Sequence, residues 1–228
     1  MERLVNEHLV FLKQKFMRLG STVRMIRYSV TVMAETLLIV LCLSYACQSA
    51  WSDDAVDRLS IPGPINFDGT SYQLSWSSHP SAYYYKQEYL PAGQTSERFQ
   101  RMVLLEAIVQ GTDVSGAVSA QINMLNRRKS TDPTVNFATY KNPKTGEVIL
   151  DFIISKESEK EELTVEWNAY RYAPLKAKDG KSGVLLFGLS RRAYGADSTE
   201  FLRGLKSARI TEVNALAHYP LPVVQPKN

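Results

Sequence analysis

The second half of the sequence alternates apolar with polar residues, and this alternation constrains the fold more than any other feature. Successive side chains of a β-strand point to opposite faces of its sheet, so a period of two predicts a half-buried strand. The turn-forming sequence Asn-Pro-Lys-Thr-Gly at 142–146 separates one such strand from a preceding strand over 135–141. The alternating residues are Val148, Leu150, Phe152 and Ile154 on one strand, and Leu163, Val165, Trp167 and Ala169 on the next. Together with the nearly continuous apolar run at 184–190, which is typical of a central strand, they predict an antiparallel meander.

The first half begins with a predicted β-hairpin. In its first strand, Tyr72, Leu74 and Trp76 alternate with polar residues, which predicts that these three share the buried face. Small polar residues and Pro80 favour a turn over 77–81, and the second strand follows at 82–90.

Three helices are also predicted. The first runs from residue 95 or 96 to about 110, because its apolar residues recur near helical spacing. Asp113 can cap the second helix, which ends before Pro133. The third begins at Asp197, which forms a variant of the capping box with Glu200. The apolar residues of the three helices are Phe99, Met102, Val103, Ile108 and Val109, then Val114, Val118, Ile122 and Leu125, and finally Phe201, Leu202, Leu205 and Ala208.

This order of elements predicts an α+β fold. We expect an antiparallel β-sheet of about five to six strands, with helices packed on one face, preceded by a signal or anchor helix. The single domain should occupy residues 67–216, between a linker over 51–66 and a Pro-rich tail over 217–228. The residues expected in its core are Leu150, Phe152, Val165, Trp167 and Leu186.

The order of elements also resembles that of a known fold. The Trp-Ser-Ser sequence at 76–78, at the end of the first predicted strand, and the terminal helix resemble the Mog1p/PsbP-like fold over about residues 66–214. This fold occurs in small exported bacterial lipoproteins and in photosystem accessory proteins. The resemblance implies an accessory or binding role rather than catalysis, and it transfers no functional residues.

An uncharged stretch over 36–50 follows a basic leader, which predicts export. A signal peptide combines a basic region, an apolar region of about 7–15 residues and small residues for cleavage. A retained membrane anchor is one alternative, although Glu35 interrupts the roughly 20 apolar residues that a span requires. Lipid attachment at Cys47 is another, although Ser44 and Tyr45 depart from the usual residues before a lipidated cysteine. We therefore expect an exported protein, periplasmic or membrane-associated, that meets a membrane only through its N-terminal segment.

Charge and cysteine content restrict the classes of ligand. The chain carries a net charge of +4, but 21 Lys and Arg face 20 Asp and Glu from Trp51 onward. A nucleic-acid binder would show a basic patch in its folded domain, so no nucleic-acid partner is expected. Both cysteines, Cys42 and Cys47, precede the domain, and the only histidines after Trp51 are His79 and His218. No metal site, cofactor or Ser-His-Asp arrangement is therefore expected.

Asp151 and Glu166 are the candidate catalytic residues. Counted along their strands, both lie opposite the apolar residues, where they could line a polar patch with Asn168, Tyr170 and Tyr172. Glycoside hydrolysis needs two carboxylates about 5–10 Å apart in a cleft. The competing interpretation is a solvated sheet face that is stabilised by cross-strand pairs.

Five tyrosines within residues 72–89 form the most unusual local cluster. Tyrosine offers a large contact area with a polar tip, which suits interfaces, and it is also common in strands. We expect Tyr84 to be exposed, with Lys86 and Glu88, on a candidate partner surface. The expectation for Tyr83, Tyr85 and Tyr89 is that they are mostly buried. A separate candidate is a group of residues that could receive an anion, namely Arg191, Arg192 and Tyr194.

These observations favour a non-enzymatic accessory or binding protein of the bacterial cell envelope. Its partner would be another envelope protein or a small ligand. One alternative is a hydrolase that uses the Asp151 and Glu166 carboxylates. Another is a membrane-anchored subunit of a larger envelope assembly.

Overall fold

The computed structural model describes residues 55–157, 162–176 and 182–227, all of which lie in one compact unit. The expectations about the leader, the export segment and Cys47 lie outside these residues. Within the described ranges, no helix has the length and hydropathy needed to cross a membrane.

Eight antiparallel strands form one curled sheet in the order β1-β2-β3-β4-β8-β7-β6-β5. Two helices, α1 between β4 and β5 and α2 after β8, complete the fold. The strands are β1 (Ile65–Phe67), β2 (Thr70–Ser81), β3 (Tyr84–Leu90), β4 (Arg101–Ile108), β5 (Asn136–Lys141), β6 (Val148–Glu157), β7 (Leu163–Lys176) and β8 (Ser182–Tyr194), and the helices are α1 (Val114–Arg128) and α2 (Asp197–His218).

The segment predicted as the first helix, residues 95 or 96 to about 110, contains strand β4 instead. Its residues Met102, Val103, Leu104 and Leu105 are all buried, so both faces of the strand are covered. A short apolar run of this kind fits a buried strand as well as a helix. Pairing with β3 on one side and β8 on the other decides the outcome. The element order behind the Mog1p/PsbP-like resemblance therefore contains a helix that the structure replaces with a strand.

The two helices pack on opposite faces of the sheet. On α2, Leu205, Val213 and Leu216 join a core cluster that contains Leu185, Phe187 and Leu189 of β8. On α1, Val114, Val118 and Leu125 join a second cluster that contains Val184 and Leu186 of the same strand. Neighbouring residues of a strand face opposite ways, which places the two clusters on different sides of β8.

The predicted fold class is therefore wrong in two respects. The sheet has eight strands and curls into a half-barrel, rather than containing five to six strands. Helices cover both faces instead of one. The strand count was too low because β1 is short and β4 was taken for a helix. The buried faces of β8 explain its nearly continuous apolar sequence, because a strand covered on both sides has no polar face.

The segments that sequence analysis assigned to a linker and a tail contribute to the core on the α2 face. Leu59 is fully buried and Ile65 nearly so. The backbone N–H of Gln225 donates to the Leu59 carbonyl at 2.8 Å. The Arg171 guanidinium donates to the carbonyls of Leu216 and Tyr219 at 2.9 and 2.7 Å, so it satisfies acceptors at the end of α2. These contacts tie both ends of the described chain to the sheet.

Local sequence patterns correctly predicted the positions of the meander strands and of α1. The five residues expected in the core are buried, with no more than 6% of any one exposed. The Asp113 carboxylate accepts a hydrogen bond from the Gly116 N–H at 2.7 Å and caps α1 as predicted. At α2, by contrast, the N-cap residue is Ala196 and no side chain caps the helix, so the predicted capping box at Asp197 is wrong.

Truncation of Phe152 tests the importance of the α1-side core. Phe152 is 2% exposed and packs edge-on against Tyr170 at a ring distance of 5.0 Å. Phe152→Ala should lower the free energy of unfolding by about 3–5 kcal/mol, and the melting temperature by roughly 10 °C. Urea and thermal unfolding of the purified protein measure both quantities. The control is Tyr140→Ala, because Tyr140 is 40% exposed and its loss should cost within about 0.5 kcal/mol. Equal effects of the two substitutions would contradict this assignment of the core.

Candidate functional site

A set of polar and aromatic side chains lies on the α1 face of the sheet, on strands β2, β3 and β4. We call it the β2–β4 surface, and its residues are Trp76, Tyr84, Lys86, Glu88 and Glu106. The strand register brings them together, because Trp76 lies opposite Glu88 and Lys86 lies opposite Glu106. Helix α1 packs mainly against β6, β7 and β8, so this half of the face is less covered.

A β-bulge places Trp76 on this surface. Leu74 lies opposite Tyr89, but Trp76 lies opposite Glu88, so one extra residue is inserted in β2 between these pairs. A bulge reverses the face on which the following side chains lie. Leu74 therefore packs against the α2-side core, whereas Trp76 is 41% exposed on the α1 face. The prediction that Tyr72, Leu74 and Trp76 share one buried face is wrong for Trp76.

Lys86 is the centre of a charged network on the surface. Its ammonium lies 3.1 Å from Glu88 Oε1 and 3.8 Å from Glu106 Oε1. The same ammonium lies 5.7 Å from the centre of the Trp76 ring, within reach of a cation–π interaction. The Tyr84 hydroxyl donates to Glu106 Oε2 at 2.7 Å. The surface therefore offers an aromatic ring, a cationic donor and two carboxylate acceptors side by side.

Burial shifts the pKa values of two groups in this network. It raises the pKa of the Glu106 carboxyl above its usual range, although the hydrogen bond from Tyr84 and the charge of Lys86 oppose the shift. Burial also raises the pKa of the Tyr84 phenol, and the neighbouring Glu106 carboxylate raises it further. Tyr84 thus remains a hydrogen-bond donor at neutral pH.

The predicted exposures of the tyrosines are correct for two of the four. Tyr85 and Tyr89 are buried as expected, but Tyr83 is 49% exposed and Tyr84 is only half-buried. Strand β3 begins at Tyr84, so Tyr83 belongs to the turn and does not follow the alternation of the strand. Tyr84 loses exposure because it bonds to Glu106 of the adjacent strand.

Asp151 and Glu166 lie on opposite faces of the sheet, so the predicted carboxylate pair does not exist. Asp151 lies opposite Ala169, whereas Glu166 lies opposite Ile154, three residues further along β6. The carboxylate of Asp151 is fully buried on the α2 face, where it accepts a hydrogen bond from Trp167 Nε1 at 2.6 Å. It also forms an ion pair with Arg209 of α2. The error arose because alternation was counted on each strand separately, while the register decides which faces coincide.

The three residues expected to receive an anion are also divided between the faces. Arg191 lies opposite Trp167 and pairs with Glu212 of α2. Arg192 pairs with Glu166 on the α1 face, and its guanidinium lies 4.0 Å from the Phe99 ring centre. The two arginines therefore act as partners of carboxylates on opposite sides of the sheet.

A cavity of about 370 Å³ opens where β6 and β8 end and β7 begins. Its two arginines, Arg192 and Arg128, are already engaged, by Glu166 and Asp132 respectively. The described residues contain no group of three or more His, Cys, Asp or Glu side chains that could hold a metal ion. The cavity lining consists of Glu97, Arg128, Ile154, Ser155, Lys156, Thr164, Glu166, Arg192 and Tyr194.

The sequence analysis did not identify Glu106 as a site residue, and it predicted too little exposure for Trp76. Glu106 lies in the segment that was taken for a helix, although it is the single charged residue within the apolar run 102–109, which is a signal in itself. Trp76 was assigned to the core because nothing in the local pattern marks the bulge. Lys86 and Glu88 were identified correctly as neighbours on one face.

A family model matches residues 59–221, which include every helix and strand of the described structure. The chain belongs to this family. No curated protein and no solved structure shows a significant similarity to it. Family membership therefore assigns no activity to the chain.

The raised pKa of Glu106 gives stability a predictable pH dependence. The folded state binds the Glu106 proton more tightly than the unfolded state does, so the stabilisation is fully present below the unfolded-state pKa of about 4.3. It is lost as pH rises through the folded-state pKa. Glu106→Gln cannot titrate, and the unfolding free energy of wild type minus that of the variant should therefore fall from about pH 4 to about pH 7.

Urea unfolding of both proteins across this range measures the difference. Glu200→Gln removes a carboxylate that is 80% exposed on α2, and it serves as a control for the change in net charge. A wild-type advantage that grows with pH would contradict the direction assigned to the Glu106 pKa.

Proposed function

We propose that this protein is an exported, non-enzymatic binding protein of the bacterial cell envelope that binds its partner through the β2–β4 surface. The observation that carries the proposal is the bulge that turns Trp76 out of the α2-side core. Bulges that re-aim a side chain are over-represented next to functional sites. An exposed tryptophan beside a charged network has the composition of an interaction hot spot, in which Trp and Tyr dominate.

The polar groups around Trp76 favour a role in binding over a purely structural role. Lys86 is 28% exposed at its side chain, and Glu88 and Glu106 are each 15% exposed. The ion pairs hold these three side chains in fixed positions beside the ring. Binding of a ligand therefore costs less side-chain conformational entropy. The half-buried positions also strengthen each interaction relative to bulk water. The surface is thus both accessible and organised in advance.

Retention of envelope components tests the proposed surface. Purified mature protein is immobilised and exposed to a detergent extract of the envelope, and Trp76→Ala should retain at least about tenfold less of the specifically bound component. Tyr140→Ala, which truncates a tyrosine of similar exposure on β5, should retain it as wild type does. Both variants should keep the wild-type melting temperature within a few degrees. Equal retention by Trp76→Ala and wild type would remove the basis for this binding surface.

Export is supported by the sequence before the domain, the uncharged stretch over 36–50 behind a basic leader. A phosphatase reporter that is active only outside the cytoplasm, fused after Asn228, should show full activity. N-terminal sequencing should begin between Cys47 and Trp51. Reporter activity confined to the cytoplasm would contradict export, whereas an active reporter with an intact leader would favour a membrane-anchored subunit.

A further inference from the structure

The charges on the β2–β4 surface select the class of ligand. Lys86 contributes one positive charge, and Glu88 and Glu106 contribute two carboxylates whose charge it partly neutralises. An anionic ligand would meet an excess of carboxylates. A cationic ligand would have to displace the Lys86 ammonium, which already lies between both carboxylates and near the Trp76 ring. The arrangement therefore suits a neutral ligand that both donates and accepts hydrogen bonds.

The hydrogen-bonding groups narrow the class further. Carboxylates accept hydrogen bonds and an ammonium donates them, and bonds to charged groups are shorter and stronger than those between neutral groups. Hydroxyl groups of a ligand can serve as donor to Glu88 and as acceptor from Lys86. A peptide backbone would instead seek an unpaired strand edge, whereas Lys86, Glu88 and Glu106 project from β3 and β4, each of which has a strand on both sides.

Trp76 supplies the remaining part of the site. The face of an aromatic ring carries partial negative charge, and the axial C–H bonds of a pyranose ring carry partial positive charge. A sugar ring can therefore stack on the exposed ring of Trp76 while its hydroxyls reach Lys86 and Glu88. The ring and the ion pair lie on adjacent strands, since Trp76 is directly opposite Glu88, so one sugar unit can contact both.

We propose that the β2–β4 surface binds a neutral oligosaccharide, with a pyranose ring stacked on Trp76 and its hydroxyls bonded to Lys86 and Glu88. The assignment rests on the proposed function of this surface and specifies its ligand class. The N-terminal export segment agrees with it, because an exported protein meets polysaccharide in the cell envelope.

Titration with defined oligosaccharides tests the assignment. The mature protein carries ¹⁵N-labelled tryptophan, and the indole resonance of Trp76 is identified from its absence in Trp76→Phe. Chitohexaose and maltohexaose, both neutral, should shift the Trp76 resonance in a saturable manner, while that of the fully buried Trp167 stays in place. Isothermal titration calorimetry does not depend on the Trp76 resonance and compares the variants. The dissociation constant should rise at least about tenfold in Trp76→Ala, rise less in Trp76→Tyr, and stay within about twofold in Tyr140→Ala.

Charged probes of the same length, together with the envelope retention assay, distinguish failure of the ligand class from failure of the proposed function. The anionic hexamer of galacturonic acid and the cationic hexamer of glucosamine should both bind more weakly than the neutral hexamers. Stronger binding of either charged probe, or saturable neutral binding that Trp76→Ala leaves unchanged, would overturn the inference. Absence of binding by every oligosaccharide, with Trp76-dependent retention of an envelope component, would overturn the ligand class and leave the proposed function intact. Absence of both oligosaccharide binding and Trp76-dependent retention would overturn the ligand class and the proposed function together.

Discussion

The pairing of β4 with β8 is the contact on which the rest of the structure depends. Eight residue pairs join the strands, from Arg101 opposite Arg191 to Ile108 opposite Val184, and they unite the hairpin half of the chain with the meander. Because β8 has a strand on each side and a helix over each face, its apolar residues alternate between two cores. The sheet, both clusters and the positions of α1 and α2 follow from this central pair.

The unequal cover that the helices give the sheet decides which polar groups can meet a ligand. On the α2 face, Asp151 is fully buried and is satisfied by Trp167 and Arg209. Removal of one partner of such a buried pair is far more destabilising than the pair is stabilising, so Asp151 acts as an anchor for α2. On the α1 face, by contrast, the helix lies over β6 to β8, and the ion pairs of Lys86 remain partly exposed. One sheet thus carries a structural charge cluster on one side and an accessible one on the other.

Local patterns predicted much of the meander and its core. Phe152 and Trp167 were identified as buried because alternation within one strand does not depend on its partners. The same reasoning failed for the segment around Glu106, since the apolar residues on either side of it fit a helix or a doubly covered strand. It failed again for Asp151 and Glu166, whose relation depends on the register between β6 and β7. Glu106 joins the candidate site because β4 is a strand, and Trp76 joins it because of the bulge. The sequence indicated neither feature, and it therefore identified only Tyr84, Lys86 and Glu88.

The sequence by itself determined which segments can be buried and where the turns of the meander fall, because side-chain polarity and turn chemistry act over a few neighbouring residues. It also distinguished a basic N-terminal stretch from the nearly neutral remainder of the chain. The tertiary structure alone decided that β4 is a strand, that α1 and α2 cover opposite faces, and that Trp76 leaves the core. These features depend on pairing between residues far apart in the chain, and a shift of register by one residue reverses every side chain that follows.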